Sequence, residues 1–504
     1  MLVRREPSLR APPTPVRSRT CSPCERKYRL SSVKFSAFWL LAIVLGAGFF
    51  GCRESKPVEV PVPATGMSKA ELEALRRAPL KVLLVGSPIW GEEIKVQFEG
   101  RGEATLDMKV MDTAEWATTS AESLDAFDVL LMPPDRLAPL AVQEKLLKYP
   151  NALLDKIGHS QWFPVDRRLG RIEQNVYGIS LGTPVCSVLV NPAVGVSDAE
   201  APQVPKTWAE WQMAAEQDRQ AGRPLRWVEP MNGLNPAFSL LLRVASMAKN
   251  QSQSDVFYSR GDGEPRLTTP PFVKALEELK ATYGPSVAEV KEWSVKDLLA
   301  KLQAGSIQGA LLPLPRLDDV GGGVANLQPE PPPGATRFYD FFDQTWSNRS
   351  AGVFRTQVVG LSGHVICVLR RTRKSEAAFR LVELLTTPPT AEVFAPLSEH
   401  VLVSRSEQWA NASNWVGRQY SVDATDKIKQ LVQLANDDVL GGAEFFPSLP
   451  GNPERLQALT DAVWQVLEDR QEPVAALQEC QKKWIEIGKQ QGPPTPLTIF
   501  SRYK

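Results

Sequence analysis

Thirteen tryptophans stand in the 504 residues, twelve of them beyond residue 51. An indole offers a flat apolar face and one N–H, which suits a ligand with C–H faces and hydroxyls. Trp208, Trp211, Trp464 and Trp484 fall on helical faces and are expected in cores. Trp90 is placed differently, just after a Gly86-Ser87-Pro88 turn that ends an apolar run. Loops at the carboxyl ends of parallel strands line the crevice of an open α/β sheet, so Trp90 is a candidate ligand contact. Tyr339, Phe342, Asp343 and Trp346 cluster in YDFFDQTW after a Pro-rich loop, as either a stacking platform or a buried flap. Signatures of catalysis are missing: no Walker loop, no HExxH and no G-x-S-x-G occurs. GLSGH at 360–364 has its glycines at the wrong positions for the last of these. His159, His364 and His400 lack metal-ligand spacing, so neither a catalytic residue nor a metal or cofactor is expected.

The elements that would carry these residues alternate in type. LKVLLV at 80–85 is a continuous apolar run closed by Gly and Pro, the pattern of a strand buried on both faces. A short helix with Ile94 and Phe98 inward, a strand over 104–111, a helix over about 112–122 and a strand over 127–132 follow. Such alternation predicts a parallel sheet flanked by helices. Thr207 and Glu210 form a T-x-x-E capping box that starts a helix bearing Trp208, Trp211 and Ala215 on one face. Further helices are expected over 271–283, 295–302, 375–386 and much of 454–489, with strands at 309–314 and 365–369. The GGG- and PPP-bearing stretch 321–334 reads as a loop, and no internal repeat is visible.

Charge is unevenly spread. Residues 1–51 hold nine Lys/Arg against two Asp/Glu, which leaves 49 against 55 in the rest. An acidic body gives no basic face for nucleic acid. The basic start, the uncharged stretch FSAFWLLAIVLGAGFFG and then Cys52 read as an export signal. The Phe-Phe-Gly-Cys end resembles the lipobox of bacterial lipoproteins, with Phe49 where Leu is commonest. That resemblance implies acylation of Cys52 and membrane attachment; the alternative is an uncleaved signal anchor. Both place the body outside the cytoplasm. Cys186, Cys367 and Cys480 are read as small apolar residues, with a Cys186–Cys367 bridge as the alternative.

Six segments in order carry a wider resemblance: 127–148, YGISLGTPVCSVLVN at 177–191, PKTWAEWQMAA at 205–215, LLAKLQAGSIQGALL at 298–312, 364–386 and 463–484. Together they resemble family 1 extracellular solute-binding proteins, the receptors of bacterial ABC importers. Residues 321–362 and 410–453 depart from that pattern. The resemblance implies an α/β, two-lobed, type II periplasmic-binding-protein-like fold, each lobe a mostly parallel sheet flanked by helices. Expected boundaries are a signal peptide at 1–51, a linker at 52–79, one lobe from 80–183 and 316–388, and the other from 184–315 and 389–504. Crossings between lobes are expected near 181–184, 313–316 and 387–389. In this frame Thr183 lies at a hinge, and Trp227, Glu229 and Asn232 lie in a loop that often touches ligand.

The implied function is capture of a small molecule, a sugar or oligosaccharide, by a monomer that delivers it to an ABC permease without chemistry. The alternatives are a sensor or interaction protein on the same fold that has lost transport, and a secreted hydrolase.

Overall fold

The computed structural model describes residues 73–74, 78–102, 104–194, 203–249, 256–314, 327–350, 352–388, 390–394, 404–405, 422–436, 442–493 and 495–496. The basic leader and Cys52 lie outside the described residues. In chain order the strands are β1 Leu80–Val85, β2 Leu106–Met111, β3 Val129–Met132, β4 Arg171–Ile172, β5 Asn175–Val176, β6 Gly178–Ser180, β7 Cys186–Val190, β8 Trp227–Val228, β9 Gly309–Pro313, β10 Gln328–Glu330, β11 Arg337–Asp340, β12 Thr345–Asn348, β13 Gln357–Val359, β14 Val365–Val368 and β15 Ala443–Phe445. The described helices of nine residues or more are α1 Pro88–Glu99, α2 Trp208–Gln220, α3 Asn235–Ala248, α4 Pro270–Tyr283, α5 Val295–Gln303, α6 Ser375–Thr386, α7 Val422–Asn436, α8 Asn452–Leu467 and α9 Pro473–Gln491.

Two sheets organise the chain. The first has the order β2-β1-β3-β14-β6, with β1 parallel to β2 and β3, and β14 antiparallel to β3 and β6. Successive side chains of a strand face opposite ways, and here both faces are buried. Leu83, Leu130 and Cys367 join one hydrophobic core; Val82, Leu84, Leu131 and Ile366 join another with Trp90, Ile94 and Phe98 of α1 and Leu381 of α6. The second sheet has the order β10-β7-β9-β8. Around it pack α2, α3, α4, α8 and α9, whose apolar faces supply Trp211, Leu241, Phe272, Leu459 and Trp484 to the larger core. The result is the expected two-lobed α/β fold, although both sheets are mixed rather than mostly parallel: β14 runs antiparallel to both of its neighbours in the first, and in the second β7 does so and only β8 and β9 are parallel.

The crossings fall partly elsewhere than expected. The chain leaves the first sheet after β6 and enters the second at β7, so it changes sheet within Leu181–Val185. On either side of the expected crossing at 313–316, β9 and β10 belong to the same sheet. Residues 327–359 stay with the second sheet: Trp208 N donates to Gly334 O at 3.2 Å, and Arg349 Nη2 donates to Ser246 O at 2.9 Å. The return is Gly360–His364, between β13, which pairs with β15, and β14. Past 387–389, the other expected crossing, contacts with the first lobe continue. The helix Thr390–Phe394 still packs on α6, and Arg405 Nη2 still donates to Ile157 O at 2.8 Å, whereas α7 packs on β10. The stretch read as loop likewise holds β10, at the edge of its sheet.

Candidate functional site

The two crossovers described end to end run side by side. Leu181 N donates to His364 O at 2.8 Å. Gly363 has φ +89° and Gly182 φ +118°, and a Cβ on Gly363 would come within 2.8 Å of Gly182 O. Only glycine gives both the backbone conformation and the close approach. What lies beside this pair of segments is the best-defined junction between the sheets.

Trp90, in the first turn of α1, meets His364 there. The rings are 4.7 Å apart and nearly perpendicular at 84°. His364 Nε2 lies 2.6 Å from Val85 O, the last residue of β1. A carbonyl only accepts, so Nε2 carries the proton and Nδ1 is left as an acceptor. Burial pushes the imidazole down to about 4, so it is neutral at pH 7. Both Trp90 Nε1 and His364 Nδ1 are buried without a hydrogen-bond partner. A donor and an acceptor thus stand together, unspent, at the carboxyl end of a parallel strand.

Thr183 lies in the first crossover and is tied to a buried carboxylate. Its Oγ1 donates to Asp166 Oδ1 at 3.0 Å, as Ser180 Oγ does at 2.5 Å. Burial raises the Asp166 carboxyl to about 7, opposed by those two hydroxyl donors. At the end of β3, Trp116 Nε1 donates to Asp135 Oδ1 at 3.3 Å, and the Arg136 guanidinium sits 4.4 Å over the Trp116 ring. Burial lifts the Asp135 carboxyl to about 6 despite Arg136 beside it. Ser448, from the segment that follows β15, donates to Asp135 O and accepts from Ala138 N at 3.2 Å. These bonds cross from one lobe to the other.

The remaining sequence candidates go elsewhere. Trp227 is a core residue, 2% exposed, packed on Trp211 and so close to β9 that a Cβ on Gly309 would overlap its ring. Glu229 is 0% exposed and paired with Arg243, whose Nη1 donates at 2.8 Å; Tyr283 Oη donates at 2.9 Å. That carboxylate is held below the usual range by Arg243 and its donors, against the pull of burial. Asn232 serves the turn before α3, its Oδ1 accepting from Asn235 Nδ2 at 3.1 Å. Tyr339, Phe342, Asp343 and Trp346 lie on or between β11 and β12, a hairpin on the second lobe. Tyr339 and Trp346 pack against each other at 5.4 Å, while Phe342 at the tip is 92% exposed. So the structure brings Trp90 and Thr183 to the crossovers and leaves Trp227, Glu229, Asn232 and the hairpin residues apart from them. Asp135, Asp166, His364 and Ser448 were not singled out as ligand contacts. Only Asp135 carried a signal, its place after the Pro133-Pro134 that ends a strand.

Cys186, Cys367 and Cys480 are free thiols, so no Cys186–Cys367 bridge forms; burial pushes the Cys186 thiol up to about 12. No helix among the described residues is long and apolar enough to cross a membrane, and none of their His, Cys, Asp and Glu residues group as a metal site.

No protein-family model and no curated protein sequence matches this chain. Solved structures do match. The sugar-binding protein MalE of Xanthomonas citri superposes with a TM-score of 0.63 at 15% identity, over 82% of this chain and 98% of that one. An ABC-transporter solute-binding protein of Agrobacterium radiobacter in complex with ribitol gives 0.63 at 16%, over 82% and 99%. The maltose-maltodextrin binding protein of Alicyclobacillus acidocaldarius gives 0.55 at 15%, over 80% and 99%. The chain has the fold of the solute-binding proteins of ABC transporters. The match extends over nearly the whole length of each of these proteins.

Proposed function

We propose that this chain is an extracytoplasmic binding protein that captures a small carbohydrate between its lobes and presents it to an ABC importer, without catalysis. The observation that carries the reading is the fold, shared over 80–82% of this chain with proteins that bind sugars and a polyol. The site supports it locally. Trp90 Nε1 and His364 Nδ1 supply an unspent donor and acceptor, and a hydroxyl serves either. In this reading the lobes rotate about the crossovers, and a ligand that touches both stabilises closure. The leader adds the place: a basic segment, an apolar segment and Cys52 fit export and lipid attachment, with a signal anchor as the alternative. We take the working unit as a monomer with a permease as partner.

Thermal unfolding against a panel of mono-, di- and oligosaccharides and polyols tests this. Binding to the folded state alone raises Tm progressively with ligand concentration. An upward shift with one class of sugar is the expected result, and its loss in His364→Phe assigns the site. A flat Tm across the whole panel overturns the reading. One observation favours a second: Ser448 already ties the lobes together at Asp135 and Ala138, which suits a scaffold that binds a protein partner.

A further inference from the structure

The second lobe contains a cavity of about 790 Å³, formed by the first turns of α2, by α4, by Met247 at the end of α3, by residues 334–337 and by Trp346 of β12. It includes none of the crossover residues and nothing from the first sheet or its helices. Its size falls within the range of about 300–1,000 Å³ usual for small-molecule sites. Trp208, Met213, Met247, Val273 and Trp346 make the wall largely apolar.

The polar groups on this wall are not equivalent. Glu210 is spent on its own helix: its Oε2 accepts from Lys206 N at 2.6 Å and from Thr207 N at 3.3 Å. Trp208 Nε1 is spent on Ser246 Oγ at 2.9 Å. Arg243 sits 4.1 Å over the Trp208 ring and Arg337 5.7 Å from that of Trp346, so each indole already has its cation. Glu278 of α4 differs from these, and is buried where its neighbour Glu277 on the same wall is exposed. It is 7% exposed, its Oε2 has no hydrogen-bond partner, and the other oxygen lies 3.8 Å from Nζ of the half-exposed Lys274. Burial of this carboxyl outweighs Arg243 and Lys274 and raises its pKa. A buried acceptor without a donor is costly, and a ligand that brings the donor removes the cost.

We propose that this cavity is a second small-molecule site, distinct from the junction between the lobes, and that it takes an amine with an apolar or aromatic body. The ammonium pairs with Glu278, and the body lies among Trp346, Met213, Met247 and Val273. A charge-assisted hydrogen bond favours an ammonium over a neutral hydroxyl at a desolvated carboxylate. The site goes beyond the carbohydrate reading and does not depend on it.

Isothermal titration of the purified full chain with phenethylamine, 2-phenylethanol and phenylacetate tests the proposal. Saturable binding of the amine at about 1 mM or tighter, with the alcohol roughly tenfold weaker and the anion silent, is the expected order. Glu278→Gln should weaken the amine roughly tenfold, bringing it level with the alcohol. Met213→Trp, at an exposed position on the rim, should block both while leaving Tm unchanged. His364→Phe, at the lobe junction, should leave amine binding intact, which separates failure here from failure of the sugar site. No binding of the amine, equal binding of amine and alcohol, or indifference to Glu278→Gln and Met213→Trp overturns it.

Discussion

Asp166 shows what one buried carboxyl does to this molecule. Its folded pKa is about 7, against 3.8 ordinarily, so between those values the folded state holds a proton that the unfolded chain has lost. Protonation therefore favours folding. The contribution is fully present below pH 3.8 and disappears as pH rises through 7, by up to about 4 kcal/mol at 1.36 kcal/mol per unit. Asp166→Asn keeps an acceptor for Ser180 and Thr183 and removes the titration. The stability of the variant relative to the parent should rise from pH 4 to pH 7.5 in denaturant unfolding; a difference independent of pH would refute the assignment. Glu229 poses the opposite case, a buried charge fully met by Arg243 and Tyr283. Glu229→Ala strands Arg243 and should cost about 3–5 kcal/mol, whereas replacing both by leucine should cost much less. Urea midpoints of the two variants decide it. Sequence marked Glu229 as polar beside Trp227 but not as buried, because its partner lies 14 residues on and meets it only when α3 comes against the segment that follows β8.

Among the elements, local chemistry was the most legible. The capping box forms as read: Glu210 N donates to Thr207 Oγ1 at 3.1 Å, and Glu210 returns to the cap. Thr207→Ala should lower stability by about 1 kcal/mol and Thr207→Ser should restore it, measured by thermal unfolding. A cost below 0.3 kcal/mol would mean that packing of Trp208 and Trp211 alone fixes the start of α2. The helix over 375–386 and the strand at 80–85 also stand where periodicity put them, since each buries its pattern against immediate neighbours. The strand β10 escaped because Gln-Pro-Glu in a proline-rich run looks like loop. An edge position tolerates that proline, as only one side of the strand must pair.

For the whole molecule, the decisive features are the places where the chain changes sheet. Gly363→Ala adds strain at φ +89° and a methyl pressed on Gly182 O, so it should cost about 1–3 kcal/mol and displace one crossover against the other. Chemical denaturation should show that loss, and under the proposed carbohydrate reading any rise in Tm with sugar should shrink with it. A variant as stable as the parent would show that the crossovers are free to part there. Among the described residues the return to the first sheet lies at Gly360–His364, later in the chain than motif order suggested. Motif spacing records which elements exist; strand order records which sheet accepts them, and β10 pairs with β7 rather than returning to the first lobe.

The order of amino acids by itself determined the alternation of strands and helices, the capped start of α2, the aromatic supply and the resemblance that gave the two-lobed fold. These depend on contacts within about a dozen residues or on patterns that survive divergence. The tertiary structure alone decided that Trp90 meets His364, that Thr183 leans on Asp166, that Trp227 and Glu229 are spent in a core, and that a cavity opens beside Glu278. Each of those facts joins residues that are close only because distant segments pack together, and burial, not residue type, sets what each polar group is free to do.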